Sequence, residues 1–534
     1  MRIRALRAGA PMQLGFVIDH SRCIGCHACT VACKAENDVP LGKFRTWVKY
    51  VEEGQFPQVR RHFAVLRCNQ CTSAPCVHIC PTGALKKRPD GIVDVDPDAC
   101  IGCKSCMQAC PYDALYIDEE SGTAEKCHFC AHRVEVGLAP ACAVVCPTEA
   151  IIPGDFHDPQ SRVSQMRAAG GLAARKTEAG TGPNVFYKEA HPTGLDPALA
   201  NAAGGFLWAQ QLPGPQLDAQ RFEALLADAE RRAGEPDGAA PTARTVLDVP
   251  RQPLWGGFIT GYLFAKSIAA GLFLAGMLWL PPFGHGLQGR VGAWLPVLAL
   301  LALGATMGLL VGDLKRPDRF LLVLRRPNWN SWLAKGSVIL SLYAVALLGW
   351  AAYLVLGGQA SSFWGGAFTL ATAVVAGLSA VYTAWLFGQA KGRALWLKRG
   401  LWVSLLAHAG IAGAATLMIL HPLFGLQGWP VESVERLLTL SLVVHGALTL
   451  SEGRLAPAGR RVEYERAVRL ITDGPYALRH IWVGLGLGVV MPLVLLIGFD
   501  DSPTMWWIAA AGALVGLWVE EDTFVRAGQA IPIS

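Results

Sequence analysis

Sixteen cysteines lie between Cys23 and Cys146 of this 534-residue chain, and none follows. They fall into four runs of four. Cys23, Cys26, Cys29 and Cys33 read C-x2-C-x2-C-x3-C. Cys68, Cys71, Cys76 and Cys80 read C-x2-C-x4-C-x3-C-P. Cys100, Cys103, Cys106 and Cys110 read C-x2-C-x2-C-x3-C-P. Cys127, Cys130, Cys142 and Cys146 read C-x2-C-x11-C-x3-C-P. Thiolates in such numbers form disulfides, zinc sites or iron–sulfur clusters. The run C-x2-C-x2-C-x3-C-P is a [4Fe–4S] spacing: three close thiolates wrap three irons of a cubane, and the fourth reaches a neighbouring cluster. Sixteen ligands saturate four cubanes. A disulfide framework needs an oxidising compartment, and no signal peptide is read ahead of these cysteines. Zinc sites usually draw on C-x2-C pairs set well apart, without the third cysteine and the trailing proline.

A second set of chemical residues sits inside apolar stretches, where ionisable groups are costly and therefore functional candidates. Lys266 lies partway into the first stretch, and Tyr262 is one turn away on the same helix face. Asp313 ends the second stretch, Tyr382 lies in the fourth, and His408 and His445 lie in the fifth and sixth. Glu452 is two turns from His445. Each has a structural reading too. Tyr262 suits an interfacial aromatic belt, and Lys266 suits a snorkelling or paired position. Asp313 suits an ion pair with the basic loop after it or a helix cap. The histidines suit interhelical hydrogen bonds, or a facing pair of haem ligands.

The elements that must position these residues follow from composition. The chain is 52% hydrophobic and 16% charged, with mean hydropathy +0.32, against about 25% charge in soluble domains. That excludes disorder for the bulk of the chain and argues against a purely soluble enzyme. Residues 1–254 carry 27 Lys/Arg and 28 Asp/Glu, and the remainder carries 20 and 13. The net charge of +6 therefore belongs to the apolar half and argues for no nucleic-acid partner. A crossing helix needs about 20 residues. Eight are read, over 256–280, 291–312, 332–356, 366–388, 400–420, 433–451, 480–499 and 503–519. Acidic residues cluster at span ends, which disfavours a carboxylate relay. Residues 155–250 turn rich in Ala, Gly and Pro and read as a connector strapping the first domain or docking a partner. It holds one amphipathic helix, over 217–233.

An even number of spans returns the C-terminus to the side of the cysteine-rich domain. That side then receives seventeen Lys and Arg of the membrane half and the far side two, Arg290 and Arg436. The positive-inside rule places the cysteine-rich domain in the cytoplasm. No twin-arginine signal is read near residue 1.

Phe16 to Pro147 resembles the four-cluster electron-transfer subunits of molybdoenzyme complexes such as dimethyl sulfoxide and polysulfide reductases. The carriers are F-V-I-D-H-S-R-C-I-G-C-H-A-C (16–29), R-C-N-Q-C-T-S-A-P-C-V-H-I-C-P-T-G-A (67–84), D-G-I-V-D-V-D-P-D-A-C-I-G-C-K-S-C-M-Q-A-C-P-Y (90–112) and K-C-H-F-C-A-H-R-V (126–134). The resemblance implies the cluster sets Cys23/Cys26/Cys29/Cys146, Cys33/Cys127/Cys130/Cys142, Cys68/Cys71/Cys76/Cys110 and Cys80/Cys100/Cys103/Cys106. The membrane half resembles the NrfD/polysulfide reductase family of quinone-reactive anchors. It does so through W-G-G-F-I-T-G-Y-L-F-A-K-S-I-A-A-G (255–271), D-L-K-R-P-D-R-F-L-L-V-L-R-R-P-N-W-N-S-W (313–332), V-Y-T-A-W-L-F (381–387) and V-R-A-G-Q-A-I-P-I-S (525–534). That resemblance implies a quinone site at the face nearest the clusters, without haem, and a quinone-contacting tyrosine at Tyr382.

The expectation is an α+β ferredoxin-like four-cluster domain (1–154), a connector (155–250) and an all-α polytopic membrane domain with eight transmembrane helices (251–534). Its cofactors are four [4Fe–4S] clusters and quinone/quinol, with Tyr382, Lys266, Tyr262 and Asp313 as the candidate quinone site. The expected function is the electron-transfer and anchor subunit of a respiratory complex in the inner (cytoplasmic) membrane. It would link a cytoplasm-facing molybdenum or tungsten, molybdopterin-type catalytic subunit to the quinone pool. The same wire can instead serve a hydrogenase or multihaem cytochrome, or drive ion translocation. No P-loop, Rossmann fingerprint or pterin site is recognised.

Overall fold

The computed structural model describes residues 12–55, 57–201, 243–251, 254–277, 290–359, 361–420, 431–499 and 502–534. The helix expected over 217–233 lies outside the described residues.

The cysteine-rich half rests on two four-stranded sheets. In the first, β1 (Leu14–Asp19) is buried along its whole length, as an unbroken apolar strand covered on both faces should be. It pairs parallel with β10 (Val185–Lys188) and antiparallel with β8 (Ile151–Asp155), and β9 (Leu172–Ala173) flanks β10. In the second, the long hairpin of β2 (Thr46–Gln55) and β3 (Gln58–Arg67) is extended by β12 (Ala243–Leu247) and β11 (Ala200–Asn201). The segment after residue 155 thus supplies strands to both sheets. Two small hairpins, β4 (Leu85–Lys87) with β5 (Val93–Val95) and β6 (Leu115–Ile117) with β7 (Ala124–Lys126), brace the cysteine loops.

The second half is helical. Its long helices are α1 (Gly257–Gly276), α2 (Arg290–Gly312), α3 (Trp332–Val355), α4 (Phe363–Gln389), α5 (Leu401–Leu420) and α6 (Val431–Leu450). A surface helix α7 (Arg461–Thr472) precedes α8 (Arg479–Gly498), whose first twelve residues are wound as a π-helix, and α9 (Pro503–Ala530). Seven of these, α1 to α6 and α8, are long and apolar enough to cross a membrane. The expected eighth, α9, falls outside that count because Glu520, Glu521, Asp522 and Arg526 interrupt its apolar sequence. It is nonetheless a 28-residue helix that packs against α8, α5 and α1.

α1 and α5 form the interior of the bundle. Their crossing is made by glycine: a Cβ on Gly271 would lie 1.9 Å from the Ala409 carbonyl oxygen of α5. Small residues that let backbones touch are the usual means of helix packing where lipid removes the hydrophobic drive.

The loop over 313–332 does more than mark a side. Arg319 donates to the carbonyls of Pro97 (2.6 Å) and Cys100 (3.3 Å). Asn328 donates to those of Cys80 (2.8 Å) and Val77 (3.2 Å), and Ser331 donates to that of Ile79 (2.6 Å). Its polar groups thereby cap backbone around the second and third cysteine runs. At the C-terminal end, Arg175 donates to the Ile533 carbonyl at 3.2 Å.

Candidate functional site

Each cysteine run starts with a C-x2-C loop bent the same way. The residue before the second cysteine is left-handed in all four: Gly25 (φ 71°), Gln70 (φ 46°), Gly102 (φ 67°) and Phe129 (φ 61°). In the two C-x2-C-x2-C runs, His27 (φ 60°) and Lys104 (φ 61°) repeat the left-handed turn after the second cysteine. These turns curl the backbone so that successive thiols converge on one point. Non-glycine residues enter this region only under constraint.

The thiols group four by four across the chain. Burial pushes the Cys33 thiol up, and Cys127, Cys142 and Cys130 beside it push in the same direction. Burial then Cys110, Cys68 and Cys71 do the same to Cys76. Burial raises Cys103 to about 12, with Cys80 and Cys100 as its thiol neighbours. Burial raises Cys23 as well, beside Cys146 and Cys26. Cys33, Cys127, Cys130 and Cys142 line one small cavity, and Cys80, Cys100, Cys103 and Cys106 line another.

This donor set fits a cluster on a further observation. Arg67 is wholly buried, and its Nη1 donates to Cys142 Sγ at 3.2 Å, but its Nε and Nη2 have no partner. A buried guanidinium with two idle nitrogens calls for a compensating negative charge. A cluster bound by four thiolates supplies one. Backbone amides of Ala124 and Ala150 also donate to Cys100 Sγ (3.4 Å) and Cys146 Sγ (3.2 Å).

The third run meets the membrane half. Lys104 pairs with Asp313 at 2.7 Å, and Trp255 Nε1 donates to the Cys103 carbonyl at 3.3 Å. Arg393 donates to Gln108, which donates to Gln529. Beneath Cys103 lies a cavity of about 110 Å³. Ile101, Cys103 and Ser105 form its roof, Met307, Leu310 and Phe387 are among its apolar walls, and Tyr262, Tyr382 and Thr383 reach it from below. A mostly apolar lining with a few placed polar groups is the usual character of ligand sites.

The four candidate residues take different places. Tyr382 and Tyr262 line the cavity and share a hydrogen bond through their hydroxyls. Tyr262 also bonds Thr383 Oγ1 at 2.9 Å. Gly336 of α3 makes room for Tyr382, since a Cβ there would fall 2.1 Å from its ring. Lys266 is buried behind the tyrosines, outside the cavity wall. It donates to Thr383 Oγ1 and the Ala380 carbonyl, both at 2.8 Å, and lies 5.3 Å from the Tyr382 ring centre. Asp313 lines the upper cavity, held by Lys104.

His408 and His445 come together, ring centres 4.9 Å apart and edge to face. His408 Nδ1 lies 3.2 Å from Glu521. Glu452 instead pairs with Lys398 at 3.1 Å. Glu521 is not among the residues singled out in the sequence; it follows residue 519, where the eighth apolar run reaches the acidic end past which the span can extend. α9 continues to Ala530, so Glu520, Glu521 and Asp522 sit within a helix that packs into the bundle. The available signal was that the apolar pattern resumes after these acids, at Thr523 to Val525.

Comparison with known proteins agrees with both halves. Residues 59–156 match the 4Fe-4S dicluster domain. A tetrathionate reductase subunit from Salmonella typhimurium is 44% identical over 202 residues, covering 37% of this chain and 79% of that protein. A polysulfide reductase chain from Wolinella succinogenes is 40% identical over 177 residues, covering 33% of this chain and 93% of that one. The arsenate respiratory reductase iron-sulfur subunit ArrB of a Shewanella species is 38% identical over 224 residues, covering 33% and 96%. All three matches cover about a third of the chain, whereas residues 245–532 match the family of polysulphide reductase, NrfD. An iron–sulfur subunit of the reductase type and a multi-helix membrane subunit are thus fused in one polypeptide, and the chain belongs to the polysulphide reductase NrfD family.

Proposed function

We propose that the chain is the electron-transfer and membrane-anchor subunit of a respiratory oxidoreductase complex, joining a molybdenum or tungsten catalytic subunit to the quinone pool. The observation that carries this reading is the shared cavity: the Cys103 loop is its roof and the Tyr262–Tyr382 pair its floor. Four [4Fe–4S] clusters in the four thiol sets supply a one-electron relay. Quinone is the substrate of this chain. Tyr382 and Tyr262 orient it and exchange protons at its ring oxygens, Thr383 and Lys266 hold the tyrosines in place, and the apolar walls exclude water.

The catalytic partner docks at the opposite end. Cys26 is exposed there, and Ile24, Val31, Val144 and Val145 near the first cluster set are 58%, 62%, 53% and 41% exposed. Exposed aliphatic patches of this kind mark interaction sites. The named relatives are subunits of tetrathionate, polysulfide and arsenate reductases, which supports a reductase-type partner. The seventeen-to-two bias of Lys and Arg supports a cytoplasmic iron–sulfur domain, with α9 as the eighth crossing.

Anaerobic purification of the complex with metal analysis tests the reading. About sixteen irons per chain with molybdenum or tungsten is expected. Nickel or covalent haem instead would favour a hydrogenase or multihaem cytochrome partner, and iron far below that number would end the four-cluster reading.

Two outcomes follow. Val31→Asp combined with Val144→Asp should weaken retention of the catalytic subunit by about 30-fold, a ~2 kcal/mol hot-spot loss, as read by pull-down. Arg67→Met should lower the midpoint potential of the cluster bearing Cys142. Losing a charged donor worth ~1.5–3 kcal/mol corresponds to about 60–130 mV for one electron. An EPR-monitored redox titration with an unchanged midpoint would refute the assigned role of Arg67.

A further inference from the structure

The quinone reading accounts for the tyrosines and Lys266 but leaves a row of buried and half-buried ionisable side chains unused. It begins at the iron–sulfur-side face, where a cavity of about 310 Å³ includes Lys391, Lys398 and Arg460 in its lining. Lys398 pairs with Glu452 at 3.1 Å, and Tyr464 donates to the same carboxylate at 3.0 Å. Further in, His480 of α8 lies 2.8 Å from Glu520 of α9. Glu520 is followed on α9 by Glu521, which reaches His408, and His408 packs on His445. Those two rings touch, and His408 Nδ1 lies 3.2 Å from Glu521. Glu521 accepts from Ser267 at 3.4 Å on the same oxygen, and its other oxygen is buried without a partner. The charges of Lys266 and Glu521 act on one another, and Lys266 bonds Thr383 at the cavity floor.

Three features suit this row to proton conduction. Its members come from α1, α5, α6, α8, α9 and the connections that carry Lys398 and Glu452, so no single helix face explains them. Imidazole and carboxyl groups both give and take protons. An orphaned carboxylate oxygen in a bundle core is expensive, and ionisable groups kept there are functional candidates, proton relays among them. The neighbouring Asp522, by contrast, is locked between Arg479 and Arg526 and cannot relay.

We propose that Lys398–Glu452, His480–Glu520, His445, His408 and Glu521 form a proton route between the iron–sulfur-side face and the tyrosine pair, so that quinone exchanges its protons on the side that bears the clusters. Each quinol oxidised gives two electrons to the clusters and two O–H protons to the route, and quinone reduction takes both back. The route rests on the quinone reading and makes the redox step electrically silent across the membrane.

The test uses the full chain in liposomes, selecting iron–sulfur domains that face outward. Decylubiquinol is the donor, and ferricyanide, which does not cross the bilayer, is the outer acceptor. Proton release is followed by one pH dye outside and one trapped inside. Two protons per quinol outside and none in the lumen are expected. Glu521→Gln should slow turnover at least 10-fold and raise the solvent isotope effect, with cluster EPR and quinone-site inhibitor affinity unchanged. Glu521→Asp should recover part of the rate, and His408→Gln should repeat the defect. Protons in the lumen, or full rates in both Glu521→Gln and His408→Gln, would overturn the route while leaving the quinone site standing. Wild-type chain that passes no electrons from quinol to ferricyanide would overturn the quinone reading itself, and the route with it.

Discussion

Tyr382→Phe is expected to slow electron exchange between the clusters and quinone by about 100-fold, the loss typical of one preorganised donor at a reacting oxygen. The variant removes a single hydroxyl. Tyr382 lines the cavity under Cys103, and its hydroxyl is bonded to Tyr262, which bonds Thr383 in turn. The ring, which fills the space left by Gly336, stays. The fold and the cluster spectra should therefore be unaltered, and the defect should appear in quinone kinetics alone. Lys266→Met acts differently. It leaves the cavity wall intact but strips Thr383 and the Ala380 carbonyl of their donor. A smaller rate loss is expected, because the tyrosines lose support rather than a contact. Stopped-flow reoxidation of reduced clusters by decylubiquinone separates the two, and unchanged kinetics in both would remove the proposed pocket.

Cys106→Ala should abolish electron delivery to quinone. Cys106 belongs with Cys80, Cys100 and Cys103 around the cavity nearest the membrane half. Burial raises its thiol well above the ordinary range, and Cys103, Cys100, Cys80 and Cys76 surround it. A missing ligand cannot be replaced by water in so closed a site. Iron should fall towards about twelve per chain, while the other three sets are still reduced by dithionite. Binding free energy of such a group is also folding free energy, so this end of the domain should loosen. Lys104–Asp313 and the carbonyl bonds of Arg319 and Asn328 tie it to the membrane half, so a drop in thermal stability is expected too. Full iron content with normal quinone reduction would contradict the placement of the membrane-proximal cluster.

The sequence carried the cysteine chemistry openly, because thiolate spacing within C-x2-C loops is local. The apolar spans were equally legible, since seven are marked by length and composition alone. Three sets of partners were not. The eighth span reads as 503–519, able to extend past its acidic end, but what the acids at that end pair with lies elsewhere in the fold: Glu520 with His480, Glu521 with His408, and Asp522 with Arg479 besides its helix neighbour Arg526. The loop at 313–332 read as a marker of orientation. Its Arg319 and Asn328 serve carbonyls more than 200 residues away in sequence. The segment after residue 155 reads as a strap, and it does so by strand pairing: β10 pairs with β1 and β12 with β2, each over 100 residues earlier. In each case the missing information was a long-range partner, which no periodicity reports. Tyr262 and Tyr382 fall in one candidate site by sequence although they lie 120 residues apart, and their shared hydrogen bond is a product of the fold.

Clusters in this chain are expected to deliver electrons to quinone at the Tyr262–Tyr382 cavity. The most direct measurement is freeze-quench EPR of the purified full-length chain, its clusters reduced by a stoichiometric amount of dithionite and then mixed with decylubiquinone under anaerobic conditions. The account predicts that reduced-cluster signals disappear on mixing with the wild-type chain and persist in Tyr382→Phe. Signals that persist in the wild-type chain, or disappear equally fast in both, would contradict it.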